Sequence, residues 1–176
     1  MIEKFTFELH APKINHKKIV LMKDDVELRN HVVLKLLAYV LFYDAELKVD
    51  ESAGLHYQPD LFIPGDHHDN PPKVWIDCGK IALRKLESLA EKMKQTRIIF
   101  LKETERELGV FKKLIEKKIE RAEKAPPLEF LAFDAGFVDS LANALGRTNH
   151  FTLYDVMENV IGIALNDQTF ESTLYR

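Results

Sequence analysis

The stretch Gln58-Pro59-Asp60-Leu61-Phe62-Ile63, followed by Val74-Trp75-Ile76-Asp77-Cys78-Gly79-Lys80, decides the fold. Each half is a short run of β-branched and aromatic residues with one carboxylate at its end. Between them, Pro64, Gly65, Asn70, Pro71 and Pro72 read as a loop, so the two runs come back side by side as a hairpin. Asp60 and Asp77 then stand at neighbouring strand ends. Two carboxylates so placed suit one hard divalent cation, with open positions left for a phosphate and a water.

Outward from the hairpin, the chain reads as mixed α/β. Phe5, Phe7 and Leu9 alternate with Lys4, Thr6 and Glu8, the period of a half-buried strand. Pro12 to Lys17 is a turn-rich link, and Ile19 to Met22 a second strand that pairs with the first. Asp24 and Asp25 are candidate N-caps of a helix from Val26 to Asp44 whose apolar residues nearly encircle it, so the helix is buried. Its one polar row is Glu27, His31 and Lys35, spaced by four.

After the hairpin, Ile81 to Gln95 has helical periodicity and Arg97 to Leu101 is a strand. Thr104 and Glu107 form a capping-box pattern opening a helix with Leu108, Phe111, Ile115, Ile119 and Ala122 as its seam. Pro126-Pro127 ends that helix. Leu128 to Phe133 reads as a strand, Asp134 as the cap of a helix to Leu145, and Gly146 as its C-terminal glycine. The tail, Phe151–Tyr154, Val160–Leu165 and Thr169–Tyr175, reads as a β-meander. The expected class is thus α/β with a mixed sheet, framed by an N-terminal β-hairpin and a C-terminal meander.

Composition sets bounds. With 176 residues, 46% hydrophobic and 30% charged, residues 1–176 are expected to form one globular domain. The longest apolar run, Val32 to Tyr43, carries Lys35 and is too short for a bilayer, so no membrane is expected. Met1-Ile2-Glu3-Lys4 has no apolar signal core, and a single cysteine makes no internal disulfide, so the expected location is cytoplasmic. A net charge of −3 argues against a surface coated for DNA binding, so a nucleic-acid partner would have to meet a local cleft. The sequence sets no oligomeric state.

Pro59-Asp60, a gap, then Asp77 and a nearby lysine outline the PD-(D/E)xK nuclease signature. The wider set (Glu27, Leu36-Leu37-Ala38-Tyr39, Pro59-Asp60, Trp75 to Gly79, the Arg84-Lys85 pair, Arg147-Thr148 and the closing strands) resembles the YaeQ family over nearly the whole chain. The resemblance implies a restriction-endonuclease-like core. With it, Asp60 and Asp77 are expected to hold Mg²⁺ or Mn²⁺ together with a backbone carbonyl near Cys78, and Glu27 is either a third acid or a contributor to its helix start. In the signature, acid and lysine are two residues apart and leave the strand on one face. Here that place is Gly79, which leaves Lys80, Arg84 or Lys85 to serve. Such a site hydrolyses a phosphodiester bond in nucleic acid. The alternative is a nuclease-like module that has lost catalysis and binds a nucleic acid or a protein.

Other features read more simply. Asp66-His67-His68-Asp69 is a solvated loop rather than a zinc site. Cys78 alternates away from Asp77 into the core. Trp75, on the face of Asp77, either stacks on a base or packs as a wall. Lys112, Lys113, Lys117 and Lys118, mixed with Glu116 and Glu120, form the wet face of a helix.

Overall fold

Strand alternation at the N-terminus builds the first sheet. The computed structural model describes residues 2–67, 70–119 and 126–176. In β1 (Glu3–Ala11), Phe5, Phe7 and Leu9 are all fully buried, and β1 pairs antiparallel with β2 (Ile14–Lys23). The second strand therefore begins at Ile14. The turn is confined to Pro12 and Lys13, and the expected link over Pro12 to Lys17 is shorter than read. The closing meander is β8 (Thr148–Met157), β9 (Val160–Leu165) and β10 (Gln168–Thr173). Strand β8 lies parallel beside β1, so hairpin and meander fuse into one five-stranded sheet of order β10-β9-β8-β1-β2.

The helix after β2 is α1 (Arg29–Leu41), not a span from Val26 to Asp44. Asp24 Oδ1 accepts the N–H groups of Val26, at 2.9 Å, and Glu27, at 3.0 Å. It closes a turn ahead of the helix, whose N-cap is Leu28 with no side-chain cap. Nine consecutive residues, Val32 to Val40, are buried, as expected of a helix apolar on nearly all sides. Lys35 within this run is buried too, its Nζ donating to Met22 O and Asp50 Oδ1, both at 2.6 Å.

The second sheet holds β3 (Lys48–Val49), β4 (Leu61–Ile63), β5 (Val74–Cys78), β6 (Arg97–Leu101) and β7 (Leu128–Leu131), in that order. The first three run antiparallel, and β5, β6 and β7 are parallel. The hairpin of the sequence reading is present, with Leu61 opposite Ile76 and Phe62 opposite Trp75. Helix α1 covers one face of this sheet, where Ile76, Cys78, Ile99 and Leu101 join the core of the first sheet. Helices α2 (Leu83–Lys92) and α3 (Glu105–Ile119) cover the other, over Trp75, Ile98 and Phe100. In α3, Thr104 Oγ1 accepts the Glu107 N–H at 3.2 Å, the capping contact read from the sequence. The seam residues Leu108, Phe111 and Ile115 are buried. Ala122, the last of the expected seam, lies outside the described residues.

Helix α4 (Phe137–Ala144) starts at Gly136, in a left-handed conformation, and has Leu145 as its C-cap, so Gly146 follows the helix end as expected. Asp134 does not cap it. Its carboxylate accepts from Thr173 N and Tyr175 Oη, both at 2.7 Å, and so pins the tail beside β7. The class is α+β with two mixed sheets. Among the described residues no helix is long and apolar enough to cross a membrane.

Candidate active site

The site begins where β5 ends. Strand alternation sends Trp75 and Asp77 toward α2 and α3, and Ile76 and Cys78 toward α1. Asp77 is 1% exposed, and both of its oxygens are engaged. Oδ2 accepts from Trp75 Nε1 at 2.8 Å, and Oδ1 from Lys85 Nζ at 2.5 Å. Lys85 reaches down from the first turn of α2 and donates also to Gln58 O, at 2.7 Å. Trp75 has no exposed surface, so of its two readings the structure gives wall packing.

Asp60 stands at the start of β4, next to the end of β5, and turns toward α1. Its Oδ2 accepts the Cys78 N–H at 2.7 Å, and its Oδ1 lies 2.9 Å from His31 Nε2. That imidazole also lies 3.4 Å from Glu27 Oε1. Glu27 thus meets Asp60 through His31, on the α1 side of the sheet, while Asp77 faces the α2 side. The i, i+4 row of the sequence reading is intact, with Lys35 4.0 Å from Glu27.

The two carboxyls titrate apart. Burial raises Asp77 above the ordinary carboxylate range, and the Lys85 charge does not offset it while Asp60 adds to it. Burial acts the same way on Asp60, but there the His31 hydrogen bond and charge, the Cys78 N–H and Lys85 win, and its pKa falls. Burial pushes His31 down, yet Asp60 and then Glu27 more than compensate, and the imidazole is more basic than usual. The Cys78 thiol, buried and beside both carboxylates, is raised well above its ordinary value and is a core group, not a nucleophile.

Of the three basic candidates, the structure brings Lys85 to the acids. Lys80 is exposed and faces a neighbouring cavity, and Arg84 is exposed on α2. The sequence reading left His31 out of the site, although its spacing of four from Glu27 was the available signal. The carbonyl beside the acids is that of Gln58, whereas the carbonyl of Gly79 is taken by Lys102 Nζ. In the 65–69 loop, Asp66 pairs with Lys73 at 2.7 Å, and His68 and Asp69 lie outside the described residues.

Comparison with known proteins follows from this geometry. The family model described as YaeQ protein matches residues 15–174. The chain belongs to the YaeQ family. Its fold is similar to the crystal structure of the YaeQ protein from Xanthomonas axonopodis pv. citri, with a TM-score of 0.78 at 17% identity, covering 99% of this chain and 97% of that one. It is also similar to the YaeQ protein from Pseudomonas syringae, with a TM-score of 0.70 at 16% identity, covering 99% and 93%. At such identities the likeness establishes the YaeQ fold alone. Among curated proteins, none matches the chain.

Whether a metal fits this YaeQ site is a question of donor chemistry. Among the described residues no group of three or more His, Cys, Asp or Glu is arranged to hold an ion. Lys85 Nζ stands between the Asp77 carboxylate and the Gln58 carbonyl, with the Trp75 ring 5.5 Å away, and acts on Asp60 through its charge. Oxygen donors of this kind suit a hard ion that keeps its own waters, such as Mg²⁺ or Mn²⁺.

Proposed function

We propose that this chain is a metal-dependent nuclease that hydrolyses phosphodiester bonds in nucleic acid. The observation that carries the reading is the Lys85 ammonium, lodged against Asp77 Oδ1 and Gln58 O and felt by Asp60. A cation already sits among these oxygens, from the helix that follows the acid-bearing hairpin. The order α1, β3-β4-β5, α2, β6 also agrees with the restriction-endonuclease-like core that the sequence signature implies.

Asp60 and Asp77 are the ligands in this reading. Sharing one ion requires an oxygen of Asp60 to reach around the end of β5 from the α1 side, where His31 and the Cys78 N–H hold it. Bound there, Mg²⁺ or Mn²⁺ supplies Lewis-acid polarisation of a phosphate and a water of lowered pKa. The remaining work belongs to the chain. His31 and the Cys78 N–H hold Asp60 ionised and oriented, and Trp75 fixes the Asp77 carboxylate from one side. Lys85, released from Asp77, is the cation that faces charge developing on the phosphate. Glu27 acts through His31 and positions it. Lys80 and Arg84, both exposed, serve the nucleic-acid backbone rather than the reacting bond.

One observation favours the second reading, a module that binds without cutting: both oxygens of Asp77 are satisfied by the chain itself. Calorimetry with Mn²⁺ on the natural chain and on Asp60→Asn/Asp77→Asn, with cleavage assays on plasmid, single-stranded DNA and RNA, separates the two. Binding and cleavage that both vanish in the double variant support the nuclease. Retention of nucleic acid without cleavage supports the binding module, and a natural chain that takes up no Mn²⁺ ends the metal reading.

A further inference from the structure

A cavity of about 1150 Å³ opens at the carboxyl ends of β5, β6 and β7, where an open α/β sheet usually receives ligands. Its wall is apolar along Ile81, Phe111, Leu114 and Phe133, and its charged lining, apart from Lys102, is Glu103, Glu105, Glu107 and Asp134 against Lys80 and Arg106, an acidic balance. The residue just past β6, Lys102, lines it while 5% exposed. Among the described residues its Nζ has one hydrogen-bond partner, the neutral carbonyl of Gly79, and it lies 3.7 Å from the centroid of the Phe111 ring. Among the described residues this lysine is hydrogen-bonded to no carboxylate, Asp60 and Asp77 included.

A buried lysine without an ion pair gives up its proton readily. Burial lowers Lys102 to about 8, against the raising charges of Glu107 on α3 and of Asp77 and Cys78 on β5. Near pH 8 a large share of it is therefore free amine facing an apolar chamber. That is the arrangement in which an amine becomes a nucleophile toward carbonyl carbon.

We infer that Lys102 captures a small, uncharged aldehyde or ketone with an apolar body in this cavity, as an imine. The amine lone pair forms a C–N bond to the carbonyl carbon, and the carbonyl oxygen takes up a proton to give a carbinolamine. Loss of the C–O bond as water, with both amine protons ending on that water, leaves the C=N bond. No oxidant or co-reactant enters. Glu107, whose charge acts most strongly on Lys102, lines the same cavity, and it is the carboxylate this inference assigns to pass the proton during loss of water. The acidic lining selects against anionic carbonyl compounds. The site is independent of the metal reading.

The test is reductive trapping on the full chain. Pyridoxal with cyanoborohydride at pH 8, followed by peptide mass mapping, compares Lys102 with the exposed Lys113. A lysine of pKa about 8 carries about 100-fold more free amine at that pH than an ordinary one. Lys102 is therefore expected to label at least about tenfold faster, even with access through the cavity alone. Pyridoxal 5′-phosphate is expected to label Lys102 several-fold more slowly than pyridoxal. Val110→Trp, at the cavity wall and away from the amine, is expected to slow labelling of Lys102 and leave Lys113 unchanged. Lys102→Arg keeps the cation and abolishes the adduct. Labelling of Lys102 no faster than Lys113, or unchanged by Val110→Trp, overturns the inference.

Discussion

Lys85→Met isolates the electrostatic core of the candidate site. The substitution keeps the length and most of the volume of the stem but leaves Asp77, 1% exposed, with Trp75 Nε1 as its one donor among the described residues. Breaking a buried pair by removing one partner costs about 3–5 kcal/mol. Lys85 is 17% exposed, so water softens the loss, and about 3 kcal/mol is expected. Asp77 has one escape, to take a proton. That costs about 1.4 kcal/mol per pH unit above its value in the unfolded chain.

From that ordinary value of 3.8, protonation is cheaper than an unpaired charge up to about pH 6. The sign is fixed by which state binds more protons. The folded-state pKa of Asp77 is already raised and the variant raises it further, so the folded variant holds the extra proton. Its stability must fall as pH climbs through this window. The penalty is expected to be small at pH 4.5 and to level near 3 kcal/mol by pH 7.5. In a chain of this size that is a drop in Tm of roughly 6–12 °C. Urea unfolding followed by the fluorescence of the single tryptophan, Trp75 itself, gives both numbers. A penalty under about 1 kcal/mol at pH 7.5, or one equal at the two pH values, refutes the claim that Lys85 compensates Asp77.

His31→Gln removes a histidine whose folded pKa lies above its ordinary 6.5. Its contribution, about 1–2 kcal/mol, is fully present below that value and lost as pH rises through the folded pKa. The gap in urea midpoint between natural chain and variant should therefore shrink from pH 6 to pH 9. Trp75→Phe strands Asp77 Oδ2 and should cost about 1–3 kcal/mol, read by circular dichroism melts, with the loss easing at low pH as Asp77 protonates. Gly79→Ala forces a β-carbon onto a residue at φ +71°. The nearest atom to that carbon, His31 Nδ1, is 3.5 Å away, so backbone strain of about 1–2 kcal/mol is the whole expected cost and Gly79→Asn should be milder.

Local pattern made much of this fold legible. Period-two alternation gave β1, an apolar helix flanked by polar turns gave α1, and a loop rich in proline and glycine between two β-branched runs gave the β4–β5 hairpin. What escaped was long-range. Asp24 and Asp134 both have the composition of helix caps, yet one turns back on Val26 and Glu27 and the other holds Thr173 and Tyr175, 39 and 41 residues away. A carboxylate ahead of a helix carries the same sequence signal whichever partner it finds. The parallel seam between β1 and β8 was likewise invisible, because nothing in either strand names its neighbour. Lys102 went unread for a related reason: a single lysine after a short strand usually lies in water, and only the packing of α3 over β6 buries it.

The missing motif lysine has a physical explanation in Gly79. Two residues past Asp77 the chain must turn out of β5. It does so with φ +71° while Gly79 N–H donates to Leu101 O at 2.8 Å. A lysine in that left-handed conformation would be strained whatever space surrounded it. Its β-carbon would also lie against His31, the residue that holds Asp60 ionised. The left-handed turn therefore disfavours a side chain at the position the signature assigns to lysine, while the histidine, at ordinary contact distance, adds no clash. The compensating cation must then come from another element that reaches Asp77, and the first turn of α2, starting four residues later, is the nearest one on that face of the sheet. Lys80, one residue past that position, lines the neighbouring cavity, and Lys85 supplies the bond. The Lys85→Met prediction and the identity of the basic group in the proposed nuclease therefore rest on a single geometric fact, the backbone conformation of residue 79. A Gly79→Lys/Lys85→Met double variant should fail to recover the stability lost in Lys85→Met alone. Full recovery would show that position 79 can host the cation after all.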